Sequence, residues 1–250
     1  MKDVLKAVLL HSTRRWLRRQ PRNVLRTVSW DFDLFRRTTP IDPHWGGKRG
    51  QIIDRYYIEK FLAEHSSDIC GHVLEFGDDT YAKQFGGAKV SKIDVMHLVP
   101  GNPHATIIAE LANCDEVPSD TFDCILCTQV LLLVFDLKNA VRSLFRILKP
   151  GGVLLLTAPG IQKISRGDME IGGEYWRFTT LSMRRLFEEV FPPNGVEVRN
   201  YGNVLAATAF LHGLSVEDLP PKALEYTDPD FPVSIALRAV KPISPMRADP

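Results

Sequence analysis

The chain has 250 residues, 44% hydrophobic and 24% charged, and a formal net charge of +1. That length accommodates one large α/β domain with a buried core and does not demand a second. The near-neutral balance excludes a whole-molecule field that would attract nucleic acid, and no apolar run reaches the roughly 18–20 residues that span a bilayer. Residues 1–50 read as a basic N-terminal helical arm and loop. Arg14-Arg15, Arg18-Arg19 and Arg36-Arg37 supply the charge, and Val4, Leu5, Val8 and Leu9 can share a helix face. Such an arm packs on the domain as a solvated helix, or touches a partner protein, an acidic substrate or an anionic membrane surface. It lacks the small-residue cleavage site of a secretory signal.

A Pro/Gly-rich loop, Thr39 to Gly47, leads into the domain proper, expected over 51–241. Its first helix is predicted from about Ile52 to His65. Strands and helices then alternate. Strands are predicted at His72–Gly77, Val90–Met96, Ala105–Ala109, Phe122–Gln129, Gly152–Ala158, Val196–Tyr201 and Val233–Val240. Asp136 is placed to cap a helix with Leu137, Ala140, Val141, Leu144 and Leu148 inward, stopped by Lys149-Pro150-Gly151-Gly152. Thr180 is placed to cap the next, and Asn203–Leu214 reads as an apolar helix. The tail, 242–250, is expected to be disordered. Alternating elements with apolar strands predict a mostly parallel sheet covered on both faces. Ligands of such sheets bind beyond the carboxyl ends of the strands.

There are four cysteines, Cys70, Cys114, Cys124 and Cys127, too few and too clustered for a disulfide framework. Cys124 and Cys127 have CxxC spacing, but three apart on a strand they point to opposite faces. They read as core residues of a reducing, cytoplasmic protein, and no metal site is expected.

The strand Val73-Leu74-Glu75-Phe76-Gly77 resembles the opening of motif I of class I methyltransferases. In order behind it come Asp94 near the end of the second strand and Glu110-Leu111-Ala112 after the third. Pro118-Ser119-Asp120-Thr121-Phe122-Asp123 enters the fourth, and Leu148-Lys149-Pro150-Gly151-Gly152 precedes the fifth. Five pieces in register over about residues 70–160 make the chain similar to the class I S-adenosylmethionine-dependent methyltransferase family, with a type 11-like domain. The resemblance implies a Rossmann-like α/β fold, a seven-stranded sheet and S-adenosylmethionine as cofactor.

It also implies roles. Gly77 lets the backbone approach the methionine part of the cofactor. Asp94 and Val95 meet the ribose, Glu110 and Leu111 flank the adenine, and Glu75 is a supporting acid. Tyr56 or Arg55, on the preceding helix, reaches the methionine carboxylate. Thr128 and Gln129 face the transferred methyl group. Motif I departs from the family pattern where its later glycines belong: Asp79 and Tyr81 stand there, which implies either a rearranged loop, with Asp79 or Thr80 at the cofactor, or a fold that has kept its shape and changed its chemistry.

On the acceptor side, Glu174-Tyr175-Trp176-Arg177 reads as a substrate wall, with Tyr175 and Arg177 as catalytic candidates, or as a loop pinned by Trp176 and a Glu174–Arg177 pair. His97 is a candidate general base. The reading is methyl transfer to a small-molecule or glycan-like acceptor in a biosynthetic setting. The alternatives are a methyltransferase-fold cyclase, lyase or isomerase, and a non-catalytic interaction module.

Overall fold

The computed structural model describes residues 37–243. The arm helix and nearly all of the tail expected from the sequence lie outside this range.

Seven strands form one sheet: β1 (Gly71–Phe76), β2 (Val90–His97), β3 (Ile107–Ile108), β4 (Phe122–Thr128), β5 (Leu148–Pro159), β6 (Val196–Tyr201) and β7 (Ser234–Val240). Their spatial order is β3-β2-β1-β4-β5-β7-β6. All pairs are parallel except those of β7, which runs antiparallel to β5 and β6. The order reverses between β1 and β4, and a crevice opens at such a switch point.

Period-two alternation divides the buried strands between two cores. Cys124 and Leu126 of β4 and Val153 and Leu155 of β5 face one side; Ile125, Cys127, Leu154 and Leu156 face the other. The first side is covered by α1 (Ile53–Glu64), through Ile53, Tyr57 and Phe61, and by a later helix (Val204–Leu211) through Ala206 and Phe210. The second is covered by α2 (Leu137–Ile147) and by the helix Thr180–Glu188, with Val141, Leu144, Met183 and Phe187 inward. Cys124 and Cys127 therefore lie in different cores. Burial pushes both thiols far above the ordinary range, opposite to what a reactive or metal-binding pair needs.

Local chemistry accounts for the helix starts. Asp136 accepts the Asn139 N–H (3.1 Å) at the head of α2, and Asn203 accepts that of Ala206 (3.0 Å). The cap of helix 180–188 is Thr179, one residue before the predicted Thr180, because its hydroxyl accepts the Ser182 N–H in a capping box. Three further predictions shift. The third strand shrinks to two residues. The fifth begins at Leu148, so Lys149-Pro150-Gly151-Gly152 lies inside an extended run, with Gly151 at φ 81°. The apolar helix stops at Leu211, ahead of Gly213 at φ 69°. Completing the set in chain order, α3 is Arg166–Ile171, α4 is Thr180–Glu188, α5 is Val204–Leu211 and α6 is Pro221–Glu225. The short helices α3 and α6 were not predicted; five or six residues carry too little periodicity to be seen.

Candidate active site

The site is built at the carboxyl edge of β1, β2, β3 and β4. Gly77 ends β1 at φ 86°, and its N–H donates to the Met96 carbonyl (3.1 Å). A Cβ there would meet no atom within 4 Å, so this turn borders open space. Glu75, one per cent exposed, accepts backbone N–H groups from Tyr81 (3.1 Å) and Ala82 (2.8 Å). Burial pushes its carboxyl up to about 7; the two N–H donors and the nearby negative charge of Asp78 and Asp79 act in opposite senses on it. One π turn, Ala82–Gly86, follows β1. Asp79 pairs with Lys83 (2.6 Å) and does not line the crevice, so it does not fill the place of the missing glycine.

Two cavities meet here. The smaller, about 320 Å³, is walled by Gly77, Met96, His97, Glu110, Leu111 and Tyr175 among others. The larger, about 620 Å³, is walled by Trp45, Arg55, Glu75, Tyr81, Gln129 and Leu132 among others. They share Phe76, Thr128, Gln129, Leu133 and Asp168.

Gln129 stands in the shared wall. It has φ 56°, one of three non-glycine residues with positive φ among the described residues. Its N–H is held by the Thr157 carbonyl (2.8 Å), and both polar atoms of its amide are buried without a partner. A buried, unpaired amide on strained backbone costs stability, and such features concentrate at binding sites.

The structure thus brings together Glu75, Gly77, His97, Glu110, Leu111, Thr128, Gln129 and Tyr175. It does not bring Asp94, Val95, Tyr56, Asp79 or Arg177 to either cavity. Asp94 lies opposite Leu74, three residues before the end of β2, and its carboxylate is held by His72 Nε2 (2.6 Å), Lys92 Nζ (2.8 Å) and Thr106 Oγ1 (2.9 Å). Burial works against its charge, but these partners hold its carboxyl below the ordinary range. It ties β1, β2 and the approach to β3 together, and His97 occupies the strand end instead. Val95 is buried and bonds to Thr106 through both its N–H and its carbonyl. Tyr56 packs edge-on against Tyr57, while Arg55 reaches the larger cavity.

Arg177 is a staple. It donates to the carbonyls of Trp176 (2.9 Å) and Lys163 (3.2 Å) and pairs with the buried Glu174 carboxylate, which also accepts the Ser165 N–H (2.7 Å). Trp176 is pinned through its Nε1–H to the Val134 carbonyl (3.0 Å). Of this loop only Tyr175 borders the smaller cavity, with its hydroxyl on the Gly172 carbonyl (2.7 Å). His97 Nδ1 lies 2.7 Å from the Val99 carbonyl.

Sequence reasoning missed Trp45, Asp54, Gln162 and Asp168, all of which line the larger cavity. Trp45 comes from the loop before α1, at φ 59°, and Lys163 Nζ sits over its ring, 3.3 Å from the centroid. The only signal in the sequence was Trp45 followed by two glycines.

Comparison with known proteins agrees with this architecture. Residues 71–156 match the methyltransferase domain family. The ubiquinone/menaquinone biosynthesis C-methyltransferase UbiE of Enterobacter sp. (strain 638) is 32% identical over a match covering 38% of this chain and 47% of that protein. UbiE of Pasteurella multocida (strain Pm70) is 30% identical, covering 38% and 44%. The matches thus span less than half the length of these curated relatives. Among solved structures, a putative sarcosine dimethylglycine methyltransferase from Galdieria sulphuraria aligns with a TM-score of 0.53 at 14% identity, over 81% of this chain and 94% of that one. The [4+2]-cyclase SpnF aligns with a TM-score of 0.50 at 17% identity, over 78% and 84%. At these identities the structural likeness speaks to the fold alone. The matched segment, the ordered motifs and the seven-stranded sheet together make this chain similar to the class I, S-adenosylmethionine-dependent methyltransferases.

Proposed function

We propose that the chain transfers a methyl group from S-adenosylmethionine to a small-molecule acceptor, with a glycan-like compound as one acceptor class, in a biosynthetic and cytoplasmic setting. The residues at the crevice suit the cofactor. Gly77 leaves room for close backbone approach, and Met96, Leu98, Leu111 and Val130 offer apolar walls for a purine beside the Glu110 carboxylate. The smaller cavity would therefore take the adenosyl end. Glu75 and Arg55 line the larger cavity, where a cationic sulfur and a carboxylate would find opposite charges. When bound, the cofactor supplies an electrophilic methyl carbon on a sulfonium centre. The protein's part is to hold the acceptor in line with that carbon and to exclude water.

The observation that carries this reading is the unpartnered Gln129 amide in the wall common to both cavities. A ligand spanning the two would meet it at the point where they join. The biosynthetic setting is supported by the UbiE relatives, and the cytoplasmic one by four unbridged cysteines. Among the described residues no helix is long and apolar enough to cross a membrane. The paired arginines of the N-terminal segment are proposed to meet a protein or membrane surface, and 51–241 to be the catalytic domain.

Calorimetry with S-adenosylmethionine and S-adenosylhomocysteine tests the reading. Both are expected to bind, and Gln129→Ala to weaken both. No detectable binding at ~1 mM ligand, an affinity below about 4 kcal/mol, overturns it. Binding without methyl transfer to any acceptor would favour the cyclase or lyase alternative.

A further inference from the structure

We infer that the larger cavity selects a protonated primary or secondary amine as its acceptor, and that Asp54 is the carboxylate that receives it and accepts its proton. This rests on the methyltransferase reading above and names the substrate class of the same site.

Asp54 sits in the first turn of α1, is 8% exposed and lines the cavity. Its Oδ1 is buried without a hydrogen-bond partner. A desolvated carboxylate left in this condition is unfavourable unless a positive group joins it or it takes up a proton. The charges around it supply that group only in part. Five carboxylates line the cavity, Asp54, Glu59, Glu75, Asp78 and Asp168, against one guanidinium, that of Arg55. Arg55 is divided between Asp54 and Tyr81, next to Asp78. Glu59 is held by Gln51 Nε2 (2.7 Å), Glu75 by two backbone N–H groups, and Asp78 by the Thr80 N–H (2.9 Å). Lys163 does not line the cavity and sits over the Trp45 ring.

A cofactor lying along Glu75 and Asp78 would still leave Asp54 and Asp168 in the wall of the larger cavity. An anionic acceptor such as a phosphate ester would be repelled there, and a neutral hydroxyl would leave the Asp54 charge uncompensated. An ammonium group satisfies it. Trp45, Ile52, Leu132 and Leu133 provide an apolar wall for the carbon body that carries the amine.

The chemistry balances. The ammonium N–H bond breaks and its proton goes to Asp54, which becomes a neutral carboxylic acid. The lone pair freed on nitrogen forms the new N–C bond as the methyl carbon–sulfur bond breaks, and that bond's electron pair stays on sulfur. Burial of Asp54 raises its carboxyl above the ordinary range, which favours receipt of the proton, although Arg55 opposes this.

The test uses matched pairs that differ by one group: glucosamine against glucose, and benzylamine against benzyl alcohol. Binding of each is followed by ligand-observed NMR at pH 7, with the full chain saturated in S-adenosylhomocysteine. In at least one pair the amine is expected to bind tenfold or more tightly than its alcohol. Asp54→Asn is expected to remove that preference while keeping S-adenosylhomocysteine affinity within about threefold, a change under ~1 kcal/mol. Its melting temperature at pH 7 is expected to equal or exceed that of the parent, since a buried uncompensated charge is gone. Equal binding of amine and alcohol in both pairs, binding of neither, or a preference that survives in Asp54→Asn overturns the proposal. Failure of S-adenosylhomocysteine to bind would instead sink the methyltransferase reading. The amine pairs, run on the unliganded chain, would then still report on the cavity.

Discussion

The two cavities share a wall but differ in how they are made. The smaller is formed mainly by strand ends and the turns that follow them: Gly77 after β1, His97 on β2, Glu110 and Leu111 after β3. Its lining is largely apolar, with one carboxylate at Glu110 and one at Asp168. The larger draws on α1, the loop before it, the turn after β1 and the segment after β5, and it carries five carboxylates. The first is thus mainly a product of the sheet edge, and the second of elements that reach that edge from elsewhere in the chain.

Four substitutions would break or sharpen this contrast. Gly77→Val has the largest expected effect. It puts a β-branched side chain at φ 86° in the open approach, and is expected to weaken S-adenosylmethionine at least ~100-fold while destabilising the fold by about 1–2 kcal/mol. Calorimetry and urea denaturation read the two separately. Unchanged affinity would remove Gly77 from the cofactor.

Glu75 comes next, through pH. Its carboxyl is raised in the fold to about 7, so the folded state holds its proton longer than the unfolded chain does. Stability from this group is full below its ordinary range near 4.5 and is lost as pH rises through about 7. The loss is expected to be ~2–3 kcal/mol. Thermal melts from pH 4.5 to 8 check it, and in Glu75→Gln the drift should vanish. A flat profile in the parent chain would show that its two backbone donors outweigh burial.

Gln129→Ala should weaken cofactor binding about tenfold, the value of one or two buried hydrogen bonds, with little loss of stability because no partner is orphaned. Weakening of acceptor binding alone would place Gln129 wholly in the larger cavity. Asp94→Ala has the smallest expected effect. Its three partners are part-exposed, so stability should fall by ~1 kcal/mol and cofactor affinity should stay within about twofold. A large loss of affinity would return Asp94 to the ribose, against its place in mid-strand.

The fold was legible because its signals are local. Strands β4 and β5 carry continuous apolar runs, Cys124–Cys127 and Val153–Leu156, and α2 has both a capping aspartate and a repeating apolar face. Gly77, Glu110 and Leu111, proposed for the cofactor, were legible as turn residues directly after strands. Asp94 was misplaced because spacing cannot say where a strand stops: β2 continues to His97, so the acid falls one turn of the pleat short. Tyr175 and Arg177 looked alike in a charged aromatic loop. Only the packing of Glu174 and the surrounding carbonyls shows that Arg177 braces that loop while Tyr175 borders a cavity.

What the sequence by itself determined is the alternation of strands and helices, the turn glycine after β1 and the order of motifs that makes the chain similar to the class I methyltransferases. Each depends on neighbours within a few residues, where propensity, capping and periodicity act. What only the tertiary structure decided is the larger cavity. Trp45, Asp54, Gln129 and Asp168 are separated by up to 123 residues and meet only when α1 and the segment after β5 close over the sheet edge. Burial without a partner, which sets Asp54 and Gln129 apart, depends on the contacts that folding withholds. No spacing rule in the chain encodes that.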